Sequence, residues 1–131
     1  IAHEVVTVLA EPAFAPLFGP DGRAEVAAAG VIEAADGRRL SVSARIDRLI
    51  VAPDAVTILD LKTDRQVPAD AAAAPAHHVA QLALYRALVG RLYPALPVHA
   101  ALLYTAGPRL LALDETRLDA ALEALLATPH P

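Results

Sequence analysis

Alternating apolar and polar positions predict a long strand near the middle of the chain. Residues 40–51, LSVSARIDRLIV, have one apolar face comprising Leu40, Val42, Ala44, Ile46 and Ile50. The other face is polar and comprises Ser41, Ser43, Arg45 and Asp47. Arg48 interrupts the apolar side. Residues 23–33 predict a strand that precedes this one. Asp36-Gly37 is a favourable turn for a hairpin between the two strands.

A third strand is expected at residues 55–62, AVTILDLK, directly after a turn at Pro53-Asp54. This run is apolar on both faces until its end, which is typical of a central strand covered on both sides. Residues 64–75 are rich in proline and alanine and predict a loop. Upstream, residues 1–10 resemble the end of a helix, and the connector that follows contains Pro12, Pro16 and Pro20.

The second half of the chain predicts two helices and two strands. Residues 77–93, HHVAQLALYRALVGRLY, have helical spacing, with a core side that includes Val79, Leu82, Val89 and Leu92. Beyond the Tyr93-Pro94 stop we expect a strand at 98–105, a short strand at 109–113 and an amphipathic helix at 115–127. This order predicts an α/β fold with a mixed sheet of four to five strands, flanking helices and an αβββαβ core.

Composition narrows the functional classes. The chain has 131 residues, enough for one compact domain, and no cysteine, which excludes a disulfide framework, a zinc knuckle and a cysteine-bound iron–sulfur cluster. No run approaches the ~20 apolar residues of a membrane span. The formal charge of −4 is a weak footprint for nucleic-acid binding by the chain alone. Any polyanion would have to be held by local arginines, a metal ion or a partner.

Lys62 is the single lysine of the chain, whereas ten residues are arginine. On a strand it shares one face with Asp60, and the hairpin can bring Asp47 beside that pair. Two close carboxylates repel unless a cation lies between them, and magnesium is commonly bound by one or two carboxylates. The alternatives are a solvated salt bridge for Asp60 and Lys62, and an exposed strand residue for Asp47.

The chain contains three sequence blocks in a fixed order: SARIDRLIV, ILDLKTDR and HHVAQLALYRALV. Together they resemble RecB-like nucleases of the PD-(D/E)XK superfamily. Among these nucleases, the likeness is to the C-terminal nuclease domains of AddA-type subunits. The resemblance covers about residues 24 to 113 and implies a restriction-endonuclease-like fold. It implies that Asp47, Asp60 and the Leu61 carbonyl bind Mg²⁺, with Mn²⁺ as a substitute, and that Lys62 is the catalytic lysine.

Supporting roles also follow from the resemblance. Gln81 and Tyr85, one helical turn apart, would support the site and the DNA strand; the alternative is a helix-surface pair that packs on the sheet. Further candidates for support or DNA contact are Glu25, Arg48, Thr63 and Arg65. The alternative for Glu25 is a charged strand residue without a role. The alternative for Arg48 and Arg65 is an ion pair with Asp64 or Asp54.

The sequence departs from the family at three positions. Ala44 replaces a frequent glycine, and His78 replaces a frequent aromatic residue; His78 would stack on or contact substrate, or else cap the helix or lie at the surface. A metal-binding histidine is expected upstream, and His3 lies too near the connector to be assigned that role. We therefore expect residues 1–131 to be one nuclease domain cut from a longer protein within its first helix, and weakly active or inactive alone.

The resemblance implies a DNA exonuclease joined to a helicase in bacterial double-strand break repair, located in the cytoplasm. Implied partners are single-stranded DNA, the helicase domains of the same chain and an AddB-type subunit, with no membrane. ATP would serve only the helicase part, and no iron–sulfur cluster is expected. The alternatives are an inactive module of the same fold that binds DNA or a partner, and a stand-alone nuclease of the same superfamily.

Overall fold

The computed structural model describes residue 19 and residues 22–127, which form a five-stranded sheet with two helices. The strands are β1 Gly22–Glu33, β2 Arg39–Val51, β3 Val56–Lys62, β4 Val98–Tyr104 and β5 Arg109–Ala112. The helices are α1 Ala76–Leu92 and α2 Glu115–Ala127, and a 3₁₀ turn spans Ala71–Ala73. The expected helix at 1–10, the proline connector and His3 lie outside the described residues. Neither α1 nor α2 has the length and apolar character needed to span a bilayer.

The sheet is mixed, with the strand order β1-β2-β3-β4-β5. The first three strands form an antiparallel meander, and β5 pairs antiparallel with β4. Strands β3 and β4 are parallel, because α1 carries the chain across the sheet between them. This arrangement confirms the predicted mixed sheet of four to five strands with flanking helices.

The β1–β2 turn forms where the sequence predicts it. Gly37 has a φ of +89°, a conformation that glycine adopts without steric cost. Its N–H donates to the Ala34 carbonyl over 3.0 Å, and the Asp36 carboxylate accepts from the Arg38 N–H over 3.0 Å. These bonds fix the register of the long hairpin that carries Asp47.

Helix α1 packs on one face of the sheet and contributes five buried residues to the main core. Val79, Leu82 and Val89 are at most 2% exposed, as their spacing predicts. The assignment of Leu92 to the core is wrong, because its side chain is 61% exposed. Leu92 is the last residue of α1, and the side chains that pack against the core beyond it are Tyr93 and Leu96.

The alternation along β2 breaks at the position of the candidate metal ligand. Ile46 and Leu49 both belong to the main core, so the inward face changes between them and the prediction that Ile50 faces the core is wrong. Glu25, which the β1–β2 register sets opposite Asp47, has a φ of +53°, unusual for a residue other than glycine. Both strands of the hairpin are therefore irregular at this level.

Helix α2 lies outside α1 and packs against it. Leu118 is 1% exposed, and the Arg86 guanidinium of α1 donates to Asp119 of α2 over 2.7 Å and to the Val98 carbonyl of β4 over 2.9 Å. Arg117 donates to the carbonyls of Ala71 and Ala74. Helix α2 thus braces both α1 and the turn that precedes it.

Candidate active site

The C-terminal end of β3 carries a largely buried ion pair. Asp60 and Lys62 are two residues apart, so their side chains leave the same face of the strand. Asp60 Oδ2 lies 2.8 Å from Lys62 Nζ, and the two side chains are 7% and 16% exposed. The preceding core residues Val56, Ile58 and Leu59 have no exposed surface. This burial argues against the alternative of a solvated surface salt bridge.

Asp47 reaches the same place from β2. The register pairs Arg48 with Leu59, and its continuation sets Asp47 opposite Asp60. The Leu61 N–H donates to Asp47 Oδ2 over 2.7 Å, and the carboxyl groups of Asp47 and Asp60 are within hydrogen-bonding reach of each other. The convergence of two carboxylates and one ammonium, expected from the hairpin, is therefore present.

The Asp47 carboxyl holds a proton more strongly than an ordinary aspartate. Burial raises its pKa above 3.8 and the facing Asp60 carboxyl raises this pKa further, whereas the Leu61 N–H and the Lys62 charge act in the opposite direction. Two carboxylates at this distance repel unless a proton or a cation lies between them. The pair therefore has a demand for positive charge that Lys62 alone does not meet.

One oxygen of Asp60 lacks a hydrogen bond. Among the residues that the structure describes, Asp60 Oδ2 is the one buried side-chain oxygen or nitrogen with no hydrogen-bond partner. Its close contact with Lys62 Nζ is an ion pair without the angles of a hydrogen bond. Leaving a buried polar atom unpaired costs about 1–3 kcal/mol, so such atoms are uncommon. A cation held between Asp47 and Asp60 would satisfy this oxygen.

The donor set fits a hard divalent cation. Magnesium is often held by one or two carboxylates and keeps several of its waters. Asp47 and Asp60 supply such a pair, and within the described ranges no group of three or more His, Asp or Glu side chains forms a metal site. Water, substrate oxygens and backbone carbonyls would complete the shell, and the role of the Leu61 carbonyl stays a prediction.

Helix α1 holds the ammonium from the other side. Lys62 Nζ donates to Gln81 Oε1 over 3.0 Å, and Gln81 Nε2 donates to the Tyr85 hydroxyl over 3.2 Å. The long lysine side chain is thus fixed between Asp60 and Gln81. Gln81 and Tyr85 therefore lie at the site, and their roles in supporting it and the DNA strand stay predictions.

Two other predicted site residues, Glu25 and Arg48, contact residues outside this cluster. The Glu25 carboxylate is exposed and points to Arg45, with 3.7 Å between the charged atoms. The Arg48 guanidinium donates to the Gly19 carbonyl over 3.0 Å and lies against Gly22. Thr63 and Arg65 are exposed in the loop after β3, where a substrate can reach them.

A buried histidine–tyrosine pair that the sequence did not predict lies beside Lys62. Neither the capping nor the surface position considered for His78 is correct: His78 is 6% exposed, and its Nδ1 lies 2.9 Å from the hydroxyl of Tyr104. Burial lowers the pKa of His78, and the Lys62 charge lowers it further. Burial raises the pKa of Tyr104, as do Asp64 and Asp60. Tyr104 could have been found from its pairing with Lys62 in the sheet. That pairing can be read only when the parallel register of β3 and β4 is known.

Comparison with known proteins identifies the family. The family model described as the PD-(D/E)XK nuclease superfamily matches residues 3–128. The chain belongs to this superfamily. The restriction-endonuclease-like α/β fold implied by the three sequence blocks is thereby confirmed. The match is to the superfamily, so the narrower resemblance to AddA-type domains stays a prediction.

One solved structure similar to this PD-(D/E)XK chain is the crystal structure of SSO0001. The two are 17% identical with a TM-score of 0.49, over 99% of this chain and 68% of that chain. No curated protein matches the sequence.

Proposed function

We propose that this PD-(D/E)XK chain is a magnesium-dependent deoxyribonuclease that hydrolyses phosphodiester bonds. The observation that carries the proposal is the convergence of Asp47, Asp60 and Lys62 at the end of β3. A catalytically inactive module of the same fold has no need to keep the two facing carboxylates and the fixed ammonium together. Manganese is the expected substitute for magnesium, because it also prefers oxygen ligands.

The residues of the chain have separate tasks in this reaction. Asp47 and Asp60 would hold the ion, which when bound supplies positive charge to polarise the phosphate and lower the pKa of a bound water. Lys62 keeps its ammonium oriented by Asp60 and Gln81, where it stabilises the negative charge that develops on the phosphate oxygens. Tyr85 keeps the Gln81 amide in place through its hydroxyl.

The finer part of the proposal is an exonuclease of the AddA type, which degrades the single strand delivered by a helicase. Its support is the set of ordered sequence blocks over about residues 24 to 113, together with the charge of −4. A chain of this charge does not attract DNA at long range, so delivery by a motor would raise the local concentration of substrate. The helicase domains of the same protein and an AddB-type subunit are the partners of this proposal.

The test of nuclease activity uses the protein as its gene encodes it. End-labelled linear and circular single-stranded DNA are incubated with Mg²⁺, with Mn²⁺, or with EDTA. We expect release of labelled nucleotides from the linear substrate with either metal, and none with EDTA or from the circle. Equal cleavage of the circle would replace the exonuclease by an endonuclease, and activity in EDTA would contradict the metal-dependent mechanism.

A second experiment tests the helicase association. If the encoded protein contains a motor, Asp60→Ala should abolish DNA degradation and leave ATP-dependent unwinding at the wild-type rate, because Asp60 serves only the nuclease site. DNA degradation that neither requires nor responds to ATP, in a protein without unwinding activity, would favour a stand-alone nuclease instead.

A further inference from the structure

A buried polar pair lies beside the candidate site without being part of its carboxylate cluster. The Nδ1 of His78 and the hydroxyl of Tyr104 are 2.9 Å apart, and the two residues are 6% and 1% exposed. A buried tyrosine hydroxyl requires a hydrogen-bond partner, and here that partner is a side chain of another element. The contact therefore specifies one position of α1 relative to β4, which apolar packing alone would not do.

This pair stands next to the Lys62–Gln81 contact. Tyr104 is the neighbour of Lys62 in the parallel β3–β4 register, and His78 precedes Gln81 by three residues on α1. Residues three apart on a helix share a face, and paired residues of neighbouring strands share a face of the sheet. The contacts His78–Tyr104 and Gln81–Lys62 are thus two adjacent links between the same helix and the same strands.

The beginning of α1 has few local constraints. Its N-cap is Pro75, which makes no side-chain capping hydrogen bond, and the first turn contains no acidic residue. The orphan N–H groups of a helix start are usually satisfied by a capping side chain that also fixes where the helix begins. Here the first turn carries His78, whose bond to Tyr104 is a tertiary constraint on its position, in addition to the Arg117 bonds to the preceding turn.

The charge state of His78 is compatible with this arrangement. Burial lowers its pKa, and the charges of Lys62 and His77 lower it further, whereas Asp64 raises it. A neutral imidazole beside Lys62 leaves the ammonium as the local cation and still provides a ring nitrogen for the Tyr104 hydroxyl.

We propose that His78 and Tyr104 are positioning residues: their buried hydrogen bond sets α1 at the height at which Gln81 Oε1 meets Lys62 Nζ. The proposal rests on the proposed function in one respect, namely that Lys62 acts on the substrate. The structural part of the proposal is that Tyr104 controls the position of the Lys62 side chain through Gln81. This part can be tested without measuring nuclease activity.

A double-mutant cycle tests the kinetic part. Tyr104→Phe removes only the hydroxyl, and Gln81→Ala removes the acceptor of Lys62. We expect each variant to lower kcat about ten- to a hundredfold with KM within about twofold of wild type, because small misplacements of a reacting group are costly. The double variant should be no slower than Gln81→Ala alone, since both changes disturb one linkage. Rate losses that multiply would overturn the proposal.

Rescue and a matched control separate positioning from packing. His78→Asn keeps a hydrogen-bonding atom near the place of Nδ1 and should restore most of the kcat that His78→Leu loses. Tyr93→Phe makes the same chemical change as Tyr104→Phe in a half-buried tyrosine beyond the end of α1, and should leave kcat unchanged. Equal kcat values in the asparagine and leucine variants would contradict a role for the hydrogen bond.

The single lysine provides a readout that does not depend on activity. In protein labelled with ¹³C-lysine, the Cε–Hε NMR signal of Lys62 is identified as the one that Lys62→Arg removes. Tyr104→Phe should move the Lys62 signal towards the position that this signal has in Gln81→Ala. Adding Tyr104→Phe to Gln81→Ala should move the signal little further. Tyr93→Phe should leave the signal in place. An unmoved signal in Tyr104→Phe overturns the inference. Absence of metal-dependent cleavage in the wild type would instead reject the proposed function. The NMR result alone would then test whether the His78–Tyr104 bond positions Lys62 through Gln81.

Discussion

The ammonium of Lys62 lies 2.8 Å from Asp60 Oδ2, yet that oxygen accepts no hydrogen bond. Lys62 directs a hydrogen bond to Gln81 Oε1 instead, over 3.0 Å. The lysine is therefore held beside the carboxylate without saturating it. This leaves the Asp60 oxygen able to accept a cation, while the ammonium is held beside it by Gln81.

The first prediction concerns the chemical identity of the cation at position 62. Lys62→Arg should lower the rate of DNA cleavage by at least ~100-fold, although charge is kept, because the wider and delocalised guanidinium does not fit between Asp60 and Gln81. The measurement is the initial rate of nucleotide release. Arg45→Lys, a reverse exchange at a side chain that is 76% exposed, is the control and should retain the wild-type rate. Near-normal activity of Lys62→Arg would show that the single lysine reflects codon usage.

The second prediction concerns the raised pKa of Asp47. The folded pKa of the Asp47 carboxyl is raised above its unfolded value. The protonated carboxyl therefore stabilises the fold below the unfolded pKa, and this stability is lost as pH rises through the folded pKa. At neutral pH without metal, Asp47→Asn should therefore raise the melting temperature. Magnesium at a hundred times its Kd should stabilise the wild type by about 2.7 kcal/mol and the variant much less. Thermal unfolding with and without Mg²⁺ measures both effects.

Asp54→Asn is the matched control for Asp47→Asn, because Asp54 is exposed in the β2–β3 turn. It should change neither the melting temperature without metal nor the response to magnesium. A loss of metal response in Asp54→Asn equal to that in Asp47→Asn would show that the ion acts through general charge screening rather than at the carboxylate pair.

The third prediction concerns His78. Its pKa in the folded state lies below the ordinary 6.5, so between those two values the unfolded chain binds more protons. The stability due to neutral His78 is complete above pH 6.5 and is lost as pH falls towards the folded pKa. The free energy of unfolding, measured by urea between about pH 5 and pH 8, should fall on acidification. His78→Asn should remove part of that fall, and His77→Asn, which removes only one of the charges that lower the pKa of His78, should remove less of it.

In the described part of the chain, the pattern of residues was sufficient to predict the strands, the two helices and their order, because period and turn chemistry are local properties. It was also sufficient for Asp60 and Lys62, since residues two apart on a strand share a face. Leu92 and Ile50 were misplaced because the end of α1 and the irregularity of β2 at Asp47 depend on tertiary packing. The His78–Tyr104 bond could not be predicted without the parallel β3–β4 register, which links residues from separate segments of the chain.

The fourth prediction tests the corrected assignment of Leu92, which the structure places outside the core. Leu82 has no exposed surface, whereas Leu92 is 61% exposed. Leu82→Ala should lower the free energy of unfolding by about 2–5 kcal/mol, since it leaves a cavity between α1 and the sheet. Leu92→Ala should change it by less than about 0.5 kcal/mol. Urea denaturation at pH 7 compares the two, and a large loss in Leu92→Ala would restore the original core assignment.

The central claim is that Asp47, Asp60 and Lys62 form one metal-dependent hydrolytic site. The most direct test is the rate of Mg²⁺-dependent cleavage of labelled single-stranded DNA by the protein as its gene encodes it, in the wild type, Asp60→Asn and Asp54→Asn. Asp60→Asn preserves shape and removes only the charge that the ion requires. The account predicts cleavage by the wild type, a loss of at least ~100-fold in Asp60→Asn and an unchanged rate in Asp54→Asn. Cleavage by Asp60→Asn at the wild-type rate would contradict it.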